Sequence, residues 1–273
     1  MAVIAIAREL GALGEELAEE LVRMTGFKLL DRKDIEDQLV SYGLGLEKLQ
    51  KFDEKKPGLW ASLSQERDDY LHYLKLAIYE AAAEGPCVIV GRGAGAILRG
   101  LPNLAGVRVT SPMAARVERI KEQFKCEDRH AVQIIEQSDH ERAGFHKYFF
   151  SVDWRDAREY GLVVNTGELS VAGAAEIVDR YRALVSTEER ERKGRARIDE
   201  LLLGHHVVTD IIYGKRIAVH FLEAEAQGSH IVLHGVANTQ IAIDQAVAAA
   251  RAVPGVTSVD STIQVVQEFS VMP

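Results

Sequence analysis

The stretch AVIAIARELGALGEELAEEL, residues 2–21, decides the fold. Its first five residues form a continuous apolar run, the pattern of a strand covered on both faces of a parallel sheet. A turn carrying Gly11 and Gly14 follows, and from Glu15 the segment EELAEELVRMTG sets Leu17, Leu21 and Val22 at helical spacing before Gly26 stops the helix. Outward from this strand, loop and helix, further continuous apolar runs fall at 87–91 (CVIVG), 106–110 (GVRVT) and 162–166 (LVVNT). Helical stretches separate them at 64–85, 113–124 and 170–184. Through about residue 185 the expected class is α/β, a doubly wound parallel sheet with helices on both faces.

Beyond that point the composition changes. STEERERKGRARIDE at 186–200 is almost wholly polar and carries both signs of charge, so it reads as a linker or an exposed helix start. Two alternating runs follow, KRIAVHFLEAEA at 215–226 and SHIVLHGVAN at 229–238, joined by a turn at Gln227-Gly228. Alternation indicates half-buried antiparallel strands. The next segment, TQIAIDQAVAAARAVPG, is expected to set Ile241, Ala246, Ala249, Ala250 and Val253 on one helical face, and VTSVDSTIQVV closes the unit. The organisation expected is a domain at 1–185, a linker at 186–194 and a small α-β-β-α-β domain at 195–273.

The 273 residues carry 33 basic and 41 acidic side chains, a net charge of -8. Divided by domain, 195–273 hold 5 basic and 8 acidic residues, which leaves 28 and 33 in the first 194. Neither part has the clustered Lys and Arg of an unspecific nucleic-acid binder, so no nucleic-acid partner is expected. No apolar run approaches the roughly 20 residues that span a bilayer, and the first helix turns acidic where a signal peptide stays apolar. The expected location is the cytoplasm. Cys87 and Cys126 are too few for a disulfide framework or a four-cysteine zinc site, and Cys87 reads as core. Five of nine histidines, His205, His206, His220, His230 and His234, fall in the last module without metal-ligand spacing, so no metal site is expected there. Alternation also sets His220 on the face opposite Val219 and Phe221.

A phosphate in an α/β protein sits where loop amides and a helix N-terminus converge, which here is Arg8, Gly11, Ala12, Leu13 and Gly14. A working P-loop reads G-x-x-x-x-G-K-[ST], and this loop has Gly14 at the lysine position and Glu16 at the hydroxyl position. Two readings stay open, a modified nucleotide loop and a turn kept for structure. The segment GRGAG at 91–95 follows a strand, so its amides and Arg92 could face an anion; the alternative is a tight turn. Arg116 and Arg119 lie three apart on one helix face, and Asp139 and Arg142 repeat that spacing on another. Guanidinium groups converging from separate helices suit phosphoryl transfer, which rests on positioning and charge stabilisation, and otherwise they are surface ion pairs. FHKYFFSVDW at 145–154 reads as a lid or partner surface, or simply as packing.

These residues resemble the cytidylate-kinase-like family, a branch of the P-loop nucleoside monophosphate kinases. The resemblance is carried by IARELGALGEELAEEL, GFKLLDRKDIE at 26–36, VIVGRGAGAIL at 88–98, SPMAARVERI at 111–120, SDHERAGFHKYFFSVDW at 138–154 and LVVNTGELS at 162–170. It implies a P-loop kinase-like sheet and phosphoryl transfer from ATP, with Mg2+, to CMP or dCMP. It places the phosphate loop on Arg8 to Glu16, an arginine toward the monophosphate at Arg92, the lid base near Arg116 or Arg119, and lid residues at Asp139 and Arg142. The sequence departs from the family at Leu13, where a loop glycine is usual, at Glu15, where an arginine is usual, and at Gly93, where true cytidylate kinases have Asp. Each lost charge-stabilising donor costs on the order of 100–1000-fold in rate, so transfer is expected to be weakened or lost. Residues from about 195 to 268 resemble a BON domain on GSHIVLHGVANTQIAIDQAVAAARAVPGVTSVDSTIQVV, with Gly228 and Gly255 serving turns and Gly235 ending a strand. That resemblance implies a ligand-binding or docking module, and a non-catalytic sensor protein is the competing expectation. A homodimer is compatible with both.

Overall fold

The computed structural model describes residues 2–45, 49 and 65–266. Ser64, the first residue of one expected helix, lies outside them. The chain divides into two compact units, Met1–Gly194 and Arg195–Pro273.

In the first unit five strands form a parallel sheet in the order β2-β3-β1-β4-β5. They are β1 (Val3–Arg8), β2 (Lys28–Leu30), β3 (Cys87–Val90), β4 (Leu104–Thr110) and β5 (Leu162–Asn165). The helices are α1 (Gly14–Thr25), α2 (Arg32–Ser41), α3 (Gln65–Glu84), the single turn α4 (Ala94–Ile97), α5 (Met113–Phe124), α6 (Asp128–Phe150) and α7 (Val171–Val185). β1 is central, pairing Ile4 with Val88 on one side and with Ala105 on the other. Its Ile4 and Ile6, with Val88, Val90, Val107 and Val109, pack on Leu17 and Leu21 of α1 and on Ala174, Ala175 and Val178 of α7. Burying each of these aliphatic side chains contributes roughly 1.5–3 kcal/mol, so this face is the main core. The opposite face of β1 carries Val3, Ala5 and Ala7, and Ala5 Cβ would lie 3.9 Å from a Cβ on Gly95 of α4. Cys87 is buried, and burial pushes its thiol up to about 12, as the core reading expects.

The aromatic stretch 145–154 is packing rather than lid surface. Phe145, Phe149 and Trp154 are buried, and the Phe145 and Phe149 rings lie 4.8 Å apart. On α3, His72 is 9% exposed, and burial first, then the charge of Lys75, lowers its pKa from 6.5 to about 4. A histidine depressed in the folded state contributes stability that is complete above the unfolded value and is lost as pH falls through the window from about 6.5 to 4. At about 1.4 kcal/mol per pH unit, lowering the pH from 7 to 4.5 is expected to cost about 2–3 kcal/mol through this residue. His72→Gln should flatten that part of the urea-midpoint profile, and an unchanged slope in the variant would refute the assignment.

The charged stretch after α7 is helical: α8 runs Glu188–Val208, followed by a wider turn at Thr209–Gly214. In the second unit β6 (His220–Gln227) and β7 (His230–Ala237) form an antiparallel hairpin. The helix α9 (Gln240–Ala252) leads to β8 (Ser258–Ser261) and β9 (Gln264–Val265), both parallel to β7. This is the expected α-β-β-α-β order, with the last expected strand divided into two short ones. Ile231, Leu233 and Ala237 of β7 meet Ile243, Ala246 and Ala250 of α9, the alanines letting the helix approach the strands closely. Three details correct the expectations. Ile241 is 68% exposed and Ile243 takes the core position, because three and seven residues before Ala246 and Ala250 lies residue 243, not 241. Val219 is buried while Phe221 is 86% exposed, since the register shifts between His220 and Glu223 and Phe221 adopts φ +51°, so the two do not share a face. Gly235 lies inside β7 rather than at its end; at φ +151° it faces that bulge, and a Cβ there would sit 3.0 Å from the His220 carbonyl oxygen.

Candidate nucleotide site

The loop between β1 and α1 is held by side chains from distant elements. Arg142 of α6 donates from Nη1 to the Arg8 carbonyl at 2.9 Å. Arg116 of α5 donates from Nε to the Leu10 carbonyl at 2.7 Å, and Arg119, one turn further, donates from Nη1 to the Gly11 carbonyl at 2.9 Å. Thr166, just after β5, donates to the Ala12 carbonyl at 2.8 Å. Because the peptide is planar and trans, drawing the Leu10 and Ala12 carbonyls toward these donors turns the N–H groups of Gly11 and Leu13 the other way. The loop then enters α1 through left-handed residues, Gly11 at φ +75° and Leu13 at φ +59°, and Leu13 supplies no side-chain cap to the first amides of the helix. Leu13 thus keeps a conformation that suits glycine, at a strain of about 1–3 kcal/mol.

Asp139 and Glu9 complete this frame. Asp139 accepts from Arg116 Nη2 at 2.6 Å and from the Leu10 amide at 3.3 Å. Glu9 accepts from Arg108 Nη2 at 2.9 Å, from the Thr110 hydroxyl at 2.6 Å and from the Ser111 amide at 3.3 Å, and Arg116 Nη1 lies 3.4 Å away. Arg108 in turn stacks 4.2 Å from the Trp154 ring centre and donates to the Trp154 carbonyl. The sequence reading did not single out Glu9 or Arg108. An arginine inside an apolar strand, here at position 108 in GVRVT, is the signal that a buried carboxylate partner exists.

Where α1 begins, Arg8 lies across the helix end. A Cβ on Gly14 would meet Arg8 Cβ at 2.5 Å, so only glycine lets the arginine pass there. Arg8 Nε donates to Glu15 Oε1 at 2.8 Å; the arginine side chain is 8% exposed and the carboxylate 58%. At the second glycine-bearing turn, Arg92 is 2% exposed and left-handed at φ +52°. Its Nη2 donates to Glu36 Oε1 on α2 at 2.5 Å, and Nη1 lies 3.4 Å from the Tyr70 hydroxyl of α3. Gly93 admits the Phe150 ring, which would stand 2.2 Å from any Cβ placed there. Structure therefore brings Arg8, Gly11, Ala12, Leu13, Gly14, Arg116, Arg119, Asp139 and Arg142 together around one loop and sets Arg92 against α2 and α3.

The donor set suits phosphate better than magnesium-dependent transfer. Backbone amides at a helix start form an anion cradle. The position that would supply the metal-binding hydroxyl holds Glu16, which is exposed on the first turn of α1, and the lysine position is the glycine that Arg8 covers. Among the described residues no group of three or more His, Cys, Asp and Glu could hold a metal ion, and no helix is long and apolar enough to cross a membrane.

A five-stranded parallel sheet, helices on both sides and a glycine-bearing loop opening the first helix define a P-loop kinase fold. The model of the cytidylate kinase-like family matches residues 3–168, and the chain belongs to that family. Residues 207–267 match the BON domain model. Among solved structures, an uncharacterized protein from Eubacterium ventriosum is 23% identical with a TM-score of 0.55, covering 67% of this chain and 98% of its own. Shikimate kinase from Acinetobacter baumannii is 12% identical with a TM-score of 0.38, covering 69% and 96%. A sugar kinase from Janibacter is 13% identical with a TM-score of 0.41, covering 69% and 99%. No curated protein matches the chain.

Proposed function

We propose that the chain is a cytoplasmic nucleotide-binding member of its family in which phosphoryl transfer from ATP to CMP or dCMP is lost, and that its BON module serves ligand or partner binding. The observation that carries this reading is the use made of the arginines. Arg116, Arg119 and Arg142, the candidates for neutralising a transferring phosphoryl group, hold the loop's own carbonyls and Asp139. They are positioning residues for the amides of Gly11, Leu13 and the first turn of α1, which would bind nucleotide phosphates. The guanidinium groups are engaged by the loop itself, Gly14 and Glu16 stand where the lysine and the hydroxyl would be, and Glu15 adds a negative charge beside the cradle, where a helix start favours a bound anion.

The test is an assay of ADP formation from ATP with CMP, dCMP and UMP, paired with calorimetry on the same protein. Saturable ATP binding without turnover is expected. Turnover at rates typical of kinases, about 1–100 per second, would overturn the loss of transfer, and absence of any nucleotide binding would overturn the reading altogether. Glu15→Arg should tighten ATP binding by about tenfold or more, because it replaces a repulsive charge with an attractive one at short range. Unchanged affinity would show that phosphates do not sit at this loop.

A further inference from the structure

The Glu36 carboxylate sits between two arginines of different character. Its Oε1 accepts from the buried Arg92 Nη2 at 2.5 Å and from Arg32 Nε at 2.8 Å, with Arg32 58% exposed and Glu36 32% exposed as side chains. Two guanidinium groups on one carboxylate oxygen have the composition of an anion-binding locus, and the anion in it belongs to the chain itself, while the Tyr70 hydroxyl lies against the other terminal nitrogen of Arg92. The helix that carries it is short and capped by Asp31. α2 spans 10 residues, and its buried side chains are Ile35 and Leu39. Its polar ties to α3 include Gln38 to Glu80 at 2.8 Å and the Tyr42 hydroxyl to the same carboxylate. On the other side Arg92 is held in left-handed backbone and is almost wholly covered, so an external anion reaches its guanidinium only if the side chains against it, Glu36 among them, move away.

We propose that Glu36 is an internal competitor: it latches α2 onto Arg92, and a phosphomonoester ligand binds there by displacing the carboxylate and releasing α2. This rests on the nucleotide-binding reading and adds to it a regulation of the acceptor side. The latch lowers apparent affinity by the fraction of molecules in which Glu36 occupies the arginine, and anything that draws α2 away raises it. The Arg8–Glu15 pair is a separate contact at the β1–α1 loop, so the two sides can be probed independently.

The experiment is calorimetry on the full chain, wild type against Glu36→Gln, with CMP as the probe for Arg92 and inorganic pyrophosphate as the probe for the β1–α1 loop. Glu36→Gln should bind CMP about tenfold more tightly than wild type, with pyrophosphate affinity unchanged. The gain should vanish in an Arg92→Gln background. Equal CMP affinity in wild type and Glu36→Gln, no CMP binding by either, an equal gain for both probes, or a gain that persists without Arg92 would each overturn the latch. Failure of pyrophosphate to bind would instead count against the loop, whatever CMP does. Should Glu36→Gln lower the melting temperature enough to confuse the comparison, Glu36→Asp keeps the charge but shortens its reach. It should also tighten CMP, and a failure to do so would overturn the latch.

Discussion

Glu9→Gln is expected to destabilise the first unit by about 3–5 kcal/mol, the cost of leaving buried charge without its counter-ion. The carboxylate is 16% exposed, and its guanidinium partners, Arg108 and Arg116, are 6% and 5% exposed as side chains. An amide can still accept one hydrogen bond, but it cannot neutralise either cation, and its NH2 group would face the Arg108 guanidinium or the Thr110 hydroxyl. Arg116 keeps Asp139; Arg108 keeps the Trp154 carbonyl and the aromatic face, neither of which is an anion. Loss should therefore concentrate at β4 and at the loop after β1. Urea denaturation followed by tryptophan fluorescence measures it, since Trp154 reports on this contact. A change under about 1 kcal/mol would mean that water enters and solvates Arg108 in the folded protein.

Gly204→Ala should have a comparable effect in the second unit, about 3 kcal/mol or more. Gly204 lies on α8, and an added Cβ would stand 2.2 Å from the Ala224 carbonyl oxygen of β6. Backbone cannot rotate out of the way as a side chain can, so either the helix or the strand has to move by more than an ångström. The partner strand is already irregular, with its register shifted between His220 and Glu223. Hydrogen exchange in the full chain should show lost protection across β6 and β7 in the variant. Wild-type protection there would mean that α8 shifts at no cost, which close packing does not allow.

Much of this fold is legible in the chain because its central strands, β1 and β3, are buried on both faces. β1, β3 and β5 each announce themselves as a short aliphatic run, and β4 does so with one interruption, Arg108. β2 does not, because the three residues Lys28–Leu30 are too few to show any period. In the second unit the alternating pattern gives the hairpin but not its bulge, which depends on one left-handed residue, Phe221, whose type carries no sign of that conformation. The position of the loop is equally legible, lying where an aliphatic strand meets a helix. What its arginines touch is not. Arg116 meets Glu9 and Leu10 across more than a hundred residues, and Arg92 meets Glu36 across 56, so no local spacing records those pairs. A guanidinium reads the same in a sequence whether it faces a phosphate or a carbonyl of its own chain.

The carbonyls of Arg8, Leu10, Gly11 and Ala12 are each tied to a side chain from α5, α6 or the end of β5. A glycine-bearing loop without such ties must surrender backbone freedom when a ligand arrives, at about 1–2 kcal/mol per residue ordered. Here that entropy is already surrendered when the chain folds, so the loop is preorganised and an incoming anion meets a finished template. Association at this loop should then be set by charge and desolvation, with little contribution from induced fit.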